Sequence, residues 1–262
     1  MIDIDALGSE LDSSRFGIKI AKIRGIENCK IEILEQLKSL GFQMIIARIP
    51  SKEIRTIGFL ETQGFRIKDI QVTYKFSIRS SSINHSFCNP GVLVRDARAE
   101  DLSYLLEMAT ECFQDYGHYF ADENLDPARC IEIYQDWTKR ALLNSNHNIK
   151  FFVAEFNDEV VGFLFLKEEK MKNSTYAVGG VGAVRPMSQG QRVFPTLVQC
   201  ALEWSKKQGH EWQEHNALVY NESVNKVFTN LGFCISGSQV TLHHWIFHEQ
   251  FQTIRENNDS IQ

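Results

Sequence analysis

The apolar positions of this chain fall into short runs of two periods, and the runs order into elements. From Arg15 to Phe76, FGIKIAKI reads as a strand, KIEILEQLKSLG as a helix and FQMIIARI as a strand. SKEIRTIGFLETQG follows as a helix and FRIKDIQVTYKFSI as a strand, which together make a small α/β unit. Ser51 stands where a helix N-cap belongs, and Gly41 and Gly64 stand where helices end. Residues 79–91, RSSSINHSFCNPG, have the composition of a linker. Beyond it, Val92 to Val94 predict a strand, and Ala99, Leu102, Leu105, Leu106 and Ala109 line one side of a helix. A polar, aromatic-rich connection over 114–127 leads to the helix PARCIEIYQDWTKRALL. The strands IKFFVAEF and VVGFLFLKEE then turn at Asn157-Asp158.

From Tyr176 to Gly209 the pattern is strand, loop and amphipathic helix. Val178, Val181 and Val184 suit the strand, Pro186 breaks it, and Val193, Leu197, Cys200, Ala201 and Trp204 recur at helical spacing. The loop Gln189-Gly190-Gln191 leaves backbone N–H groups at a helix start, where the helix dipole favours an anion. By itself such a unit is more often purely structural. A strand from Trp212 to Val219, a helix from Glu222 to Leu231 and a strand pair ending near Phe247 complete the order, and the polar tail from Gln250 is expected to fray.

A repeat is visible in the residues themselves. Gly64-Phe65-x-Ile67-x-x-x-Gln71-Val72-Thr73 matches Gly232-Phe233-x-Ile235-x-x-x-Gln239-Val240-Thr241, each after a strand and a helix. Only the second copy follows a glycine loop, so the first is read as structural and the chemistry is assigned to the second.

Composition narrows the partners. With 28 basic and 33 acidic residues, a net of −5, the chain lacks the general electrostatic footprint of a nucleic-acid or anionic-membrane binder. The acidic start MIDIDALGSELD does not resemble a signal peptide, and no apolar run reaches bilayer length, so a cytoplasmic protein is expected. Cys29, Cys88, Cys112, Cys130, Cys200 and Cys234 form no C-x-x-C pair and read as reduced thiols, with Cys112 and Cys200 as core filler. His215, His243, His244 and His248 have no metal-ligand spacing, and His243 and His244 face opposite ways along a strand, so no metal is expected.

Two motifs carry a resemblance. Val184-x-Pro186-x-x-Gln189-Gly190-Gln191-Arg192-Val193-Phe194 looks like the Gln/Arg-x-x-Gly-x-Gly/Ala pyrophosphate loop of the GNAT superfamily of acyl-CoA-dependent N-acyltransferases. Asn221-x-x-Val224-x-x-x-Phe228-x-x-x-Gly232-Phe233 is similar to that family's Asn-x-x-Ala-x-x-x-Tyr-x-x-x-Gly-Phe. The resemblance covers roughly residues 92–248. It implies an α/β (α+β) GNAT fold with a central mixed, mostly antiparallel sheet, preceded by a smaller, truncated GNAT-like domain. The corresponding domains are 1–78, a linker 79–91, the catalytic domain 92–248 and a tail 249–262.

By the same resemblance, Gly182, Ala183 and Val184 would pair with pantetheine and polarise the thioester. Gln189, Gly190, Gln191, Arg192, Val193 and Phe194 would hold the pyrophosphate, and Asn221 and Phe228 would meet the cofactor from the facing side. Arg192 and Phe194 replace family glycines, and Phe228 replaces the tyrosine that protonates the departing thiolate; a phenyl ring has no proton to give. The N-terminal unit adds a likeness to two-domain acyltransferases of nucleotide-linked amino sugars, such as the dTDP-fucosamine N-acetyltransferase type. The implied reaction moves an acetyl or short hydroxyacyl group, such as 3-hydroxybutyryl, from acyl-CoA to a dTDP-linked amino-dideoxyhexose for surface polysaccharide, and the resemblance allows a homodimer. Alternatives are another small or protein amine as acceptor, or a CoA-sensing module without turnover. The acceptor would lie against Tyr116, His118, Tyr119, Asp122, Tyr134 and Trp137, with His118 or Asp122 taking the ammonium proton.

Overall fold

Apolar strand runs flanked by amphipathic helices dictate a layered α/β architecture, and the computed structural model, which describes residues 7–246 except 26, 28, 144–147 and 173, has one. In chain order the elements are α1 (Glu10–Phe16), β1 (Ile20–Arg24), α2 (Ile31–Ser39), β2 (Met44–Pro50), α3 (Ile54–Thr62), β3 (Arg66–Ser77) and β4 (Leu93–Asp96). They continue with α4 (Leu102–Cys112), α5 (Gly117–Phe120), α6 (Pro127–Leu142), β5 (Ile149–Phe156) and β6 (Glu159–Met171). The last are β7 (Ser174–Val184), α7 (Val193–Gln208), β8 (Trp212–Leu218), α8 (Glu222–Asn230) and β9 (Cys234–Trp245). The chain divides into two compact units, one of residues 1–70, 117–126 and 238–262, the other of residues 71–116 and 127–237.

In the first unit β1 runs parallel to β2, and β2 pairs antiparallel with the end of β9, from Met44↔Trp245 to Pro50↔Gln239. Its core joins Ile23, Leu37, Phe42, Ile45, Leu60 and Phe65 to Val240 and Leu242. In the second unit β3 pairs antiparallel with β8, from Gln71↔Leu218 to Ser77↔Trp212. Strands β4 to β7 form an antiparallel meander, and β7 meets β8 in parallel. Val198, Leu202, Phe228 and Phe233 pack beneath Leu164, Leu166 and Tyr74 to make the core.

The repeat is an exchange of strands. The two registers coincide when shifted by 168 positions: Gln71 becomes Gln239 and Pro50 becomes Leu218 through all seven pairs. Each copy of the strand-helix-strand motif therefore pairs its final strand with the other copy's first strand. Glycines at 64 and 232, with φ of +88° and +89°, end the intervening helices in the left-handed region that Gly adopts at little cost.

Some expectations change. The segment ending in β9 is one strand of twelve residues where a strand pair was expected, because Gln239–Trp245 has an unbroken partner in β2. Ser51 does not cap α3; Glu53 holds that position, and the Ser51 hydroxyl bonds to the Ser238 hydroxyl. The run LDSSRF, without apolar periodicity, forms α1, whose entry is tied by Ser9 Oγ donating to Asp12 at 2.7 Å. The 114–127 connection contains α5. The hairpin turn is as read, with Asn157 and Asp158 both at positive φ, +53° and +63°. Phe247, His248 and the tail lie outside the described residues.

Candidate acyl-CoA site and a buried histidine relay

Parallel strands that part expose backbone groups that a sheet would otherwise use. β7 and β8 pair only at Ala177↔Gln213 and Val178↔Glu214, so among the described residues no strand lies beside that edge of β7 from Gly179 to Val184. On its other edge β7 pairs with β6, and the register slips between Leu164↔Gly182 and Leu166↔Gly179, a bulge with one extra residue on β7. Small residues permit this path: a Cβ at 180 would fall 1.9 Å from Phe165 Cε2, and one at 182 would fall 2.9 Å from Leu164 Cδ1. Gly182, Ala183 and Val184 thus run along an open fork, as pantetheine pairing requires.

The loop beyond β7 begins with a 3-10 turn at Pro186–Ser188. Gly190 has φ +78° and open space, with nothing within 4 Å, where a Cβ would stand; Arg192, at φ +59°, is the residue before α7. Gln189, Gly190, Gln191 and Arg192 are exposed, whereas Val193 is buried and Phe194 packs at 6.0 Å on Phe228. Among the described residues the backbone N–H groups of 190–194 make no hydrogen bond. A bare row of N–H groups at the start of a helix is an anion cradle, so these residues fit a pyrophosphate. Asn89, in the stretch read as a linker, fastens the loop: its amide donates to Gln191 O at 2.9 Å and its N–H to Thr196 Oγ1 at 3.0 Å. Arg185 anchors the loop's start to α4 through Glu107 at 2.8 Å and Glu111 at 3.1 Å. Neither contact has a local sequence signal, since the partners are distant in the chain.

Asn221 caps α8, its Oδ1 accepting from Val224 N at 3.2 Å, which leaves its NH2 group and the second lone pair of that oxygen for a ligand. Phe228 is 1% exposed, enclosed by Tyr74, Phe194, His215 and Phe233. It is a wall under the fork. His215, on β8 at the fork, stacks on Phe228 at 4.8 Å, and burial pushes its pKa down to about 3, so the ring is neutral.

The residues read as the acceptor site divide between the units. Tyr116, Tyr134 and Trp137 belong to the second: Tyr134 stacks on Phe113 at 4.5 Å, donates its hydroxyl to Tyr116 O at 2.8 Å and meets Trp137 edge-on at 5.4 Å. His118, Tyr119 and Asp122 belong to the first, where they join His243. Asp122 Oδ2 accepts from His243 Nδ1 at 2.7 Å and from Trp245 Nε1 at 3.0 Å; His243 Nε2 faces His118 Nδ1 at 2.8 Å. A carboxylate only accepts, so His243 carries its proton on Nδ1, its Nε2 accepts from His118, and His118 Nε2 holds a lone pair that no donor among the described residues meets. Burial, then the neighbouring His243, Arg48 and Lys22, hold His118 well below the usual histidine value. For Asp122 burial acts upward, but the bonds from His243 and Trp245 outweigh it and keep the carboxylate ionised. Tyr119 is 1% exposed and engaged by Asp12 and Lys22, so its ring is part of the scaffold. No group of three His, Cys, Asp or Glu placed to hold a metal occurs among the described residues, and none of their helices is long and apolar enough to cross a membrane.

Known proteins resemble this chain in sequence or in fold. A spore coat polysaccharide biosynthesis protein of Bacillus subtilis (strain 168), SpsD, is 26% identical over 145 residues, covering 55% of this chain and 48% of SpsD, so the chain spans about half the length of the curated relative it matches. A tandem GNAT protein from the clavulanic acid biosynthesis pathway superposes with a TM-score of 0.57 at 10% identity, over 83% of this chain and 69% of its own. A GCN5-related N-acetyltransferase from Kribbella flavida gives 0.57 at 10% identity over 88% and 83%. At these identities the two structures speak to the fold. The profile of the acetyltransferase (GNAT) family matches residues 102–233, half of the sequence and the span from α4 through the fork to α8, and the chain belongs to that family of acyl-CoA-dependent N-acyltransferases.

Proposed function

We propose that the protein transfers an acetyl or short hydroxyacyl group from acyl-CoA to the amino group of a dTDP-linked amino-dideoxyhexose, by direct attack in a ternary complex, in polysaccharide biosynthesis. The observation that carries the acyl-CoA part is the open edge of β7 from Gly179 to Val184, running into a helix-start loop whose N–H groups are unpaired. Support for the sugar part is the likeness to SpsD, a spore coat polysaccharide biosynthesis protein. In this reading the thioester lies along β7, and Gly182, Ala183 and Val184 meet the pantetheine amides. Residues 189–194 hold the pyrophosphate, with Arg192 as a side-chain cation, while Asn221 and Phe228 border the arm.

The substrate amine must reach the carbonyl unprotonated. His118, neutral and with an Nε2 lone pair that no donor among the described residues meets, is the base we assign to that step, and Asp122 orients the relay through His243. Tyr116, Tyr134 and Trp137 are the aromatic faces assigned to the nucleotide sugar, with Tyr119 supporting the relay from within. Once His118 has taken the ammonium proton and passed it to water, the neutral amine nitrogen forms the C–N bond, the C–S pair leaves with sulfur, and the second nitrogen proton passes to the base.

The test is thiol release from acetyl- and 3-hydroxybutyryl-CoA with a panel of dTDP-amino-sugars, other small amines and peptide amines. Turnover with the sugar nucleotides is the expected result. Turnover confined to peptide or other amines would overturn the acceptor, and tight CoA binding without thiol release under any condition would mark a sensing module.

A further inference from the structure

The fork between β7 and β8 opens at one pair of residues, Gly179 and His215, the first beyond Val178↔Glu214. Gly179 has no side chain, and His215 Nδ1 lies 2.0 Å from where its Cβ would be, so the ring fills that volume and only glycine admits it. His215 ends a short buried chain: Ser205 Oγ is 2.8 Å from Gln213 Oε1, and Gln213 Nε2 is 2.7 Å from His215 Nε2. With Ser205 donating to the amide oxygen, the Gln213 NH2 group donates to His215 Nε2. The reverse order would leave the buried Ser205 hydroxyl proton without an acceptor, so this order is the satisfied one. A neutral ring whose Nε2 accepts carries its proton on Nδ1, and that N–H has no partner among the described residues.

Folding does not require this chain. In the first copy of the repeat, 168 positions earlier, Gln213 and His215 correspond to Ile45 and Ala47, both fully buried. Buried polar groups are costly where apolar ones serve, so their presence in the copy that has the fork points to a ligand. The pyrophosphate loop fixes the polar end of that ligand. From Val184 back to Gly179 the strand covers about 17 Å, a length that an extended pantetheine arm follows, which brings the thioester to the fork. Phe228, stacked on His215, contributes an apolar wall and no donor there.

We propose that His215 is a catalytic hydrogen-bond donor to the thioester sulfur, its Nδ1–H holding the thiolate as the C–S bond breaks, with Ser205 and Gln213 as positioning residues. The inference rests on the acyl-CoA reading of the fork. Atoms balance without transfer from His215: the amine forms the C–N bond and gives its proton to the base, the C–S pair goes to sulfur, and the thiolate leaves or takes a proton from water. Such a donor suits a site whose residue 228 has no hydroxyl.

Imidazole 15N spectra of the full chain, with labelled histidine and glycine, test it with two probes, CoA and desulfo-CoA. The expected result is His215 protonated at Nδ1 and bare at Nε2. Both probes should move the Gly190 amide, and CoA alone should move His215 Nδ1. Movement of Gly190 without movement of His215 would overturn the donor and leave the CoA reading intact, whereas a still Gly190 would overturn both. In turnover, His215→Phe should lower kcat about 10- to 100-fold with KM for acyl-CoA unchanged, and should steepen the dependence of rate on the acidity of the leaving thiol, with His215→Gln restoring part of it. Equal slopes in His215→Phe and the wild type would refute the assignment.

Discussion

The neutral burial of His215 makes a quantitative claim about acid stability. The folded ring has its pKa pushed down to about 3 by burial, against about 6.5 for an exposed histidine. As pH falls the unfolded chain therefore binds a proton before the folded one does. The stability associated with this group is complete above about pH 6.5 and is lost progressively from there towards pH 3. Integrating the proton linkage from pH 7 gives a loss of about 2 kcal/mol by pH 5 and about 3 kcal/mol by pH 4. His215→Gln removes the titration while keeping an N–H donor of similar reach. Urea unfolding followed by tryptophan fluorescence at pH 7, 5 and 4 should show the variant's stability falling less steeply than the wild type's by those amounts. Taking the difference between the two proteins cancels the carboxylates and the other buried histidines, which both share. Parallel curves would show that His215 is charged or exposed in the folded protein and would refute the tautomer argument as well.

Three further outcomes follow from the site. Gly190→Glu places a side chain at φ +78° and a negative charge in the N–H cradle, so CoA binding by calorimetry should be abolished with circular dichroism unchanged; retained affinity would reject the loop. Phe228→Ala should cost about 3–5 kcal/mol of stability in denaturant unfolding, because the ring is enclosed on four sides, and the alkaline limb of the rate profile should stay in place; its selective loss would contradict the packing role. His118→Gln should lower kcat about 100-fold or more while CoA affinity is unchanged, and undiminished turnover would remove His118 as the base.

Much of the candidate CoA site was legible because it is local. Pro186, Gly190 and the apolar spacing of α7 are punctuation that a strand-loop-helix unit needs, and the structure forms that unit at those residues. The relays were not legible. Asp122 and His243 stand 121 positions apart, and no periodicity in either neighbourhood announces that β9 brings them within 2.7 Å. His215 looked like one more strand histidine, because its meaning depends on Ser205 from α7 and on a glycine across the fork. Asn221 shows the opposite limit: the motif singles it out, and the geometry gives its oxygen to the helix it begins.

The exchanged strands bear on how the protein is made. The edge of β2 away from β1 pairs with residues 239–245, so a nascent chain carries that edge without its partner until β9 has left the ribosome. A fragment ending at residue 78 would keep β1, β2 and β3 yet lack that partner, and an unpaired apolar edge is a template for aggregation. A break between the two copies, harmless in a protein of sequential domains, would here leave the last strand of each without its partner.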